Sequence, residues 1–498
     1  MIDLSFYFIL IPLLGILGTL LLPSNQVKLI RILSWLSLTA TLVLAFFLLI
    51  KFDGGQKEFQ WVTQIAWLDH PRIVLQLGLD GLNIWLVVLT AVVAFCSLFA
   101  VGSIQKNLKA FHILYLMLVT GAFGAFLALD LFFFFLFLEI EVLVAYPLIA
   151  NWGRDNKKYA AMQFTLFAFL ASAFVLVGLL GIYFLTDANT SDLIRLNAYL
   201  QGSPLELSVQ HKIFLPLLIG FGILSAVWPF HSWGPIGYVE APTSTSMLLA
   251  GVLKKVGAYG LIRFGLLFVP DAAEFWMPWV TLLLMMNLVY VGFIALAQKE
   301  LRRLISYSSS SHMGLVLIGI ACVTPLGVSG AVLIMFAHGL LVALLFLITD
   351  FIERKTNTTQ IEALGGLARH WPITATGFAL ATFACASVPG FANFSGELIT
   401  LFAVWNQYTW MVIGILICVL LTAVYMFRAL RNIFFGPLPD ILQSSTEPIK
   451  SPLHILPLVL LVGFLLAVGF APNLVLSDLE TSLKNTPLTE KGVIFASF

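Results

Sequence analysis

The chain has 498 residues, of which 60% are hydrophobic and only 10% charged, and its net charge is +1. A soluble chain of this length would carry about 25% charged residues. The composition therefore excludes a soluble domain, and the charge leaves no footprint for nucleic acid.

The apolar residues come in runs of about 20, the length of a helix that crosses ~30 Å of hydrocarbon. Fourteen such segments are predicted, at about 4–22, 30–50, 81–101, 110–129, 131–152, 159–185, 213–233, 246–268, 276–297, 301–323, 328–352, 374–405, 410–434 and 453–470. The first follows Asp3 and lacks a basic flank and a small-residue cleavage pattern, so it reads as a retained helix and not as a signal peptide. The hydrophilic stretches 51–79, 186–212, 353–373 and 435–452 are too short for a soluble domain. Within the first of them, 59–65 reads as a short strand or an interfacial piece. The chain is thus predicted to be one all-α polytopic membrane domain, 1–498. Three N-terminal helices fill 1–109, five-helix groups fill 110–268 and 276–434, and a last helix and tail fill 453–498.

Charge placement orients this domain. The loops after odd-numbered segments, with the helix ends beside them, hold sixteen Lys and Arg. Those after even-numbered segments hold five (Lys51, Lys57, Arg72, Arg195 and Lys212), and the tail adds Lys484 and Lys491. By the positive-inside rule this places both termini on the outer side. Pro229 interrupts the seventh segment, in SAVWPFHSW, and Pro389-Gly390 cuts the twelfth, in CASVPGFANF. Broken helices at corresponding places in two halves are the sequence sign of inverted repeats with a site at the midplane. The repeats would be segments 4–8 and 9–13. Proline also makes harmless kinks in membrane helices. The four cysteines, Cys96, Cys322, Cys385 and Cys418, stand singly in apolar runs and read as small core residues.

The stretch Pro229 to Phe264 places His231, Glu240, Lys254, Lys255 and Arg263 in or beside apolar segments. A charge at the bilayer centre costs roughly 2.5–3.5 kcal/mol on insertion scales, so an ionisable residue there is a functional candidate. Lys255 falls mid-segment and can exchange a proton, which an arginine cannot. Snorkelling to the interface is the plain alternative, more so for Lys254. Glu139 and Glu141 lie in LFFFFLFLEIEVLVAYP. They are about 200° apart on a helix and cannot face one partner. Glu139 is read as the functional one, and Glu141, Lys254 and His231 as secondary candidates. His312 and His338, on consecutive segments, read as a relay between Lys255 and Glu397, the last of which follows the second break. Asp350 reads as interfacial, and Asp80 and Asp130 as helix caps. Nucleotide loops, haem motifs, cysteine clusters and metal-spaced histidine pairs are absent from the sequence. A redox or hydrolytic reaction of the chain's own is therefore not expected, and its energy must come from partners or an ion gradient.

The stretches PFHSWGPIGYVEAPTSTSMLLAGVLKKVGAYGLIRF, ELRRLISYSSSSHMG, MFAHGLLVALLFL, GGLARHWP and SVPGFANFSGEL resemble the antiporter-like membrane subunits of proton-pumping NADH:quinone oxidoreductase, respiratory complex I. They span segments 7 to 12 in order; the first third matches more loosely, through GLDGLN and FFFFLFLEIEV. The resemblance implies fourteen helices in inverted repeats, and proton transfer along Glu139, Lys255, His312, His338 and Glu397, driven by quinone reduction. It implies no cofactor in this chain, with NADH, FMN, iron–sulfur clusters and quinone in partner membrane-arm and redox subunits. It places the chain in a bacterial inner membrane, or in a thylakoid or other energy-coupling membrane. A membrane-bound hydrogenase or a multisubunit cation/proton antiporter is the alternative assembly. One departure stands out. The family's lysine in helix 7, five residues before the proline, is Leu224 here, so the usual partner of Glu139 is missing. The family's tryptophan before that glutamate is Leu138, and its LPDAH-like stretch reads GPIGY. A structural arm subunit that does not pump is the third reading.

Overall fold

Inside hydrocarbon every backbone N–H and C=O must find its partner within the protein, which long helices achieve by themselves. The computed structural model describes residues 2–56, 58–68, 73–104, 106–188, 190–439, 455–484 and 486–488. Lys57, Arg72, Lys450 and Lys491 of the charge tally lie outside these residues, as do positions 453–454 of the last predicted segment. Among the described residues, twelve helices are each long and apolar enough to cross a membrane, or thirteen if one bent pair counts as a single span.

α1 (Tyr7–Leu21) and α2 (Val27–Lys51) precede an antiparallel hairpin of β1 (Gln60–Leu68) and β2 (Ile73–Leu79), with Thr63 opposite Leu77. The piece expected at 59–65 is therefore the start of a hairpin strand. α3 (Ile84–Ser97), α4 (Leu108–Leu127), α5 (Leu131–Trp152) and α6 (Lys157–Leu185) follow, then a short helix α7 (Leu193–Gly202). The seventh predicted segment is two helices, α8 (Leu207–Leu224) and α9 (Trp233–Glu240). α10 (Thr243–Leu266), α11 (Pro270–Leu296), α12 (Leu301–Ala321) and α13 (Pro325–Thr356) form the next four spans. The twelfth predicted segment is again two helices, α14 (Pro372–Cys385) and α15 (Ala392–Gln407), followed by α16 (Met411–Phe434). α17 (Ile455–Phe470) bends by 67° into α18 (Asn473–Leu483), which folds back on the start of α3 through Trp85 to Asp478 and Gly81 to Ser482. Each of the fourteen predicted segments contains a helix. The lower count by length arises because α14 and α15 are each too short to span alone, and α17 reaches spanning length only together with α18.

The expected caps are met unequally. The Asp130 carboxylate accepts from the Phe132 and Phe133 amides and caps α5. Asp80 accepts from the Leu82 and Asn83 amides, but its main partner is Arg263, which grips it with two nitrogens at 2.7 and 2.8 Å.

Burial sorts the helices. All of 243–266 and all of 325–350 is buried, and α12 nearly so, whereas α2, α6, α11 and α16 bury only one stripe. The centre of the bundle is thus α10, α12 and α13, and these carry the lysines, the serine run and the histidines. Gly251 of α10 and Gly339 of α13 let the two backbones touch. A methyl group built on Gly339 would lie 2.7 Å from the Gly251 carbonyl oxygen.

Both helix breaks fall before their prolines and have the same hydrogen-bonded end. At α8, the Ser225, Ala226 and Val227 amides donate to the carbonyls of Phe221, Ile223 and Gly222. At α14, the Ala386, Ser387 and Val388 amides donate to Thr382, Ala384 and Phe383. Ala226 (φ 56°) and Ser387 (φ 55°) are both left-handed. This is the Schellman termination, usually made with glycine. The chain therefore stops five residues before Pro229 and four before Pro389, because the left-handed residue, not the proline ring, ends the helix.

Candidate functional site

α10 is α-helical over Lys254–Gly260 and π-helical over Leu249–Leu253 and Leu261–Leu266. Such wide turns are frequent at functional sites. The Lys255 ammonium donates to the Ala250 carbonyl at 2.6 Å, inside the first wide turn, and lies 3.0 Å from His338 Nδ1. Lys255 is wholly buried, so its amine faces protein and not lipid. The His338 ring stacks on the His312 ring at 5.7 Å between centroids. His312 Nδ1 lies 2.9 Å from the Ser308 carbonyl, to which it can donate, and Ser308 Oγ accepts from the Tyr425 hydroxyl at 2.8 Å. The structure thus brings Lys255, His338 and His312 into one file across α10, α13 and α12.

Lys254, one residue earlier, points elsewhere. It donates to Ser309 Oγ at 2.7 Å and sits 4.9 Å over the Tyr238 ring. It is as buried as Lys255, so snorkelling is excluded for both. Lys254 is not among the ion pairs of the described residues, so it does not pair with Glu139. Glu397, on α15, accepts from Ser387 at the second break, and its other oxygen is buried without a partner.

The glutamates of α5 face different surroundings. Glu141 is the buried one, 1% exposed, packed on Gly121 of α4. Glu139 is half-buried and lies beside Ser172 of α6. Leu224 is buried at the end of α8, next to Gly257 of α10, and Ser225 Oγ beside it has no partner. His231 lies between the two halves of the seventh span and makes no contact with the file; its Nδ1 is buried without a partner. Asn287 of α11 braces this break, accepting from the Trp228 amide and donating to the Ser310 carbonyl, each at 2.9 Å.

Asp350, read as interfacial, lies near the end of α13 but faces protein. It is 4% exposed, accepts from the Thr243 hydroxyl at 2.8 Å and pairs with Arg354. The same Thr243 hydroxyl accepts from Arg302, which also pairs with Glu353 at 3.3 Å; Glu353 in turn binds Arg154. This partly buried cluster ties α10, α12, α13 and the connection after α5 together at the basic end of the bundle. Sequence reasoning missed it because its arginines lie near helix ends, where they read as loop charges. Among the described residues no three His, Cys, Asp or Glu are grouped as metal ligands would be.

A bundle of membrane-long helices with two broken spans and a buried lysine–histidine file defines a polytopic membrane protein of the antiporter type. Residues 128–422 match the family described as NADH:quinone oxidoreductase/Mrp antiporter, TM, and the chain belongs to that family. It is 31% identical over 486 residues to subunit M of the NADH-quinone oxidoreductase of Rickettsia bellii, covering 96% of this chain and 97% of that one. To chain 4 of the NAD(P)H-quinone oxidoreductase of Picosynechococcus it is 34% identical over 492 residues, covering 94% and 89%. In the structure of respiratory complex I from Thermus thermophilus with bound NADH, one chain shares the fold. Its TM-score is 0.86 at 24% identity, over 96% of this chain and 99% of that chain.

Proposed function

We propose that this chain is a proton-translocating membrane-arm subunit of an NADH:quinone oxidoreductase, and that protons move along Lys255, His338, His312 and Glu397. NADH, FMN, iron–sulfur clusters and quinone would reside in partner subunits, whose redox chemistry drives the movement. The observation that carries this reading is the 3.0 Å contact of Lys255 with His338, itself stacked on His312, in helices shielded from lipid. A lysine and two imidazoles can each hold or release a proton, and neither type needs to leave its place to do so. The matching ends of α8 and α14 support two repeats, helices of the fourth to eighth and ninth to thirteenth spans, of opposite orientation in the membrane.

Leu224 favours a second reading for the first half alone. With no cation paired to Glu139 among the described residues, the spans ahead of α10 would serve as scaffold, and Lys255 with the second half would carry the protons. The test is the assembled complex in sealed vesicles, scored as protons moved per electron. Lys255→Ala and Glu397→Gln should lower that ratio severalfold with the complex still assembled. A native ratio in both variants would sink the proposal. Proton movement that depends on sodium and persists without electron transfer would instead assign the chain to a cation/proton antiporter.

A further inference from the structure

α15 presents a row of polar side chains of which the proposed relay uses only Glu397. Asn393, Glu397 and Thr400 stand at i, i+4 and i+7 and so share one face. Asn393 and Thr400 are fully buried and Glu397 is 5% exposed. Neither amide atom of Asn393 has a hydrogen-bond partner, nor do Thr400 Oγ1 and Glu397 Oε1. Leaving a buried donor or acceptor unsatisfied costs about 1–3 kcal/mol each, so a face with four such atoms is built for something other than packing.

That face looks onto α13. A methyl group built on Gly330 would meet Thr400 Oγ1 at 2.5 Å, and one built on Gly396 would meet Ile334 at 2.7 Å. Both contacts belong to one antiparallel register, in which a step back along α15 is a step forward along α13. The same register sets Asn393 level with Ala337 and His338. His338 uses Nδ1 toward Lys255, and its Nε2 is buried without a partner. By this register Asn393 lies level with His338, whose Nε2 is free, and one helical turn from the free oxygen of Glu397.

We infer that Asn393 is a positioning residue that holds a water between His338 Nε2 and Glu397 Oε1. The inference rests on the relay reading above and names the bridge that reading lacks. A carboxamide offers a donor and an acceptor together. It can orient a water at both ends without taking the proton itself. A polar, buried site with two to four partners is where a water is held. The transfer moves protons only. The imidazolium gives its Nε2 proton to the water as the water gives one of its own to the carboxylate, leaving neutral imidazole and a protonated carboxyl.

Two substitutions give opposite orders for the two roles Asn393 can have. Leucine keeps the branched shape but holds no water, whereas serine leaves a gap but keeps a donor and an acceptor. If Asn393 positions a water, protons per electron in vesicles of the assembled complex fall roughly tenfold in Asn393→Leu and much less in Asn393→Ser. If Asn393 only fills space, Leu does as well as or better than Ser, and the inference is overturned. Asn393→Asp, of the same size, adds a proton-binding group to the path and should shift the pH profile of translocation; an unchanged profile also overturns it. Loss of translocation in Lys255→Ala and Glu397→Gln, with Asn393→Leu at the native level, would remove this inference alone. Native behaviour of the first two would remove the relay itself.

Discussion

The contact between Lys255 and His338 depends on two glycines, and the dependence can be measured. Gly251 precedes Lys255 by one turn on α10, and Gly339 follows His338 directly on α13. A methyl group on Gly339 would lie 2.7 Å from the Gly251 oxygen and 2.6 Å from a Leu89 methyl. Comfortable contact is ~3.5 Å, so Gly339→Ala must part the two backbones by about 0.8 Å, since the Gly251 oxygen cannot rotate away. Added to 3.0 Å, this stretches the Lys255–His338 contact to about 3.8 Å, beyond hydrogen-bonding range. Overpacking of this kind costs about 1–3 kcal/mol. Gly251→Ala is the milder case, because its methyl would meet the Gly339 oxygen at 3.2 Å. The expected order of proton translocation is therefore native, then Gly251→Ala, then Gly339→Ala, with a lowered melting temperature in the last. A cryo-EM map of Gly339→Ala, with translocation assayed in vesicles, decides the matter. Native translocation together with an unstretched Lys255–His338 contact would refute the reasoning.

Two further outcomes concern the end of the bundle opposite the basic one. The Asp80–Arg263 pair is buried, so Asp80→Asn or Arg263→Gln alone should cost about 3–5 kcal/mol, much of which the double variant should regain; equal thermal shifts in single and double variants would contradict this. Burial pushes the Asp130 carboxyl up from 3.8 to about 6, against the bonds from Ser191 and the Phe133 and Phe132 amides, and with a small contribution from Asp192. The folded protein then holds this proton more tightly than the unfolded chain, so its stabilising effect is full below pH 3.8 and is lost as pH rises to about 6. Asp130→Asn keeps the cap without the titration. Its melting temperature should gain on the native one between about pH 4 and 6 and run parallel above, and a constant difference across that range would count against the assignment.

The placement of charges was legible because charge in an apolar segment has few bland explanations. Lys255, His312, His338 and Glu397 could be picked out by type and depth, and the structure joins the first three directly. The breaks were legible from Pro229 and Pro389, but their positions were not. Nothing in Ala226 or Ser387 as residue types announces a left-handed helix end. The glutamates of α5 could not be sorted for a different reason. Phenylalanine and leucine occupy all sides of that helix, so periodicity cannot tell which side faces inward. Gly121 decides it, by letting α4 approach the Glu141 side, and that is a fact about a neighbour, not about α5.

The same comparison explains why the two broken spans need not do the same work. Their ends are alike in backbone, yet their side chains differ. At the second break Ser387, the left-handed residue, donates to Glu397, so the break itself positions a carboxylate. At the first, the left-handed residue is Ala226, Leu224 stands where a cation would, and Ser225 keeps an unpartnered hydroxyl. Glu139 is left half-buried beside Ser172, away from the lysine–histidine file. Two breaks alike in backbone thus differ in what they hold: the second carries a bonded carboxylate and the first, among the described residues, does not. For the proposed proton path, the part of the first half ahead of Lys255 then acts through packing, with Asn287 of α11 bracing its break against Ser310 and with Arg302 and Asp350 holding α10 to α12 and α13. On that proposal the protons run from Lys255 through His338 to Glu397.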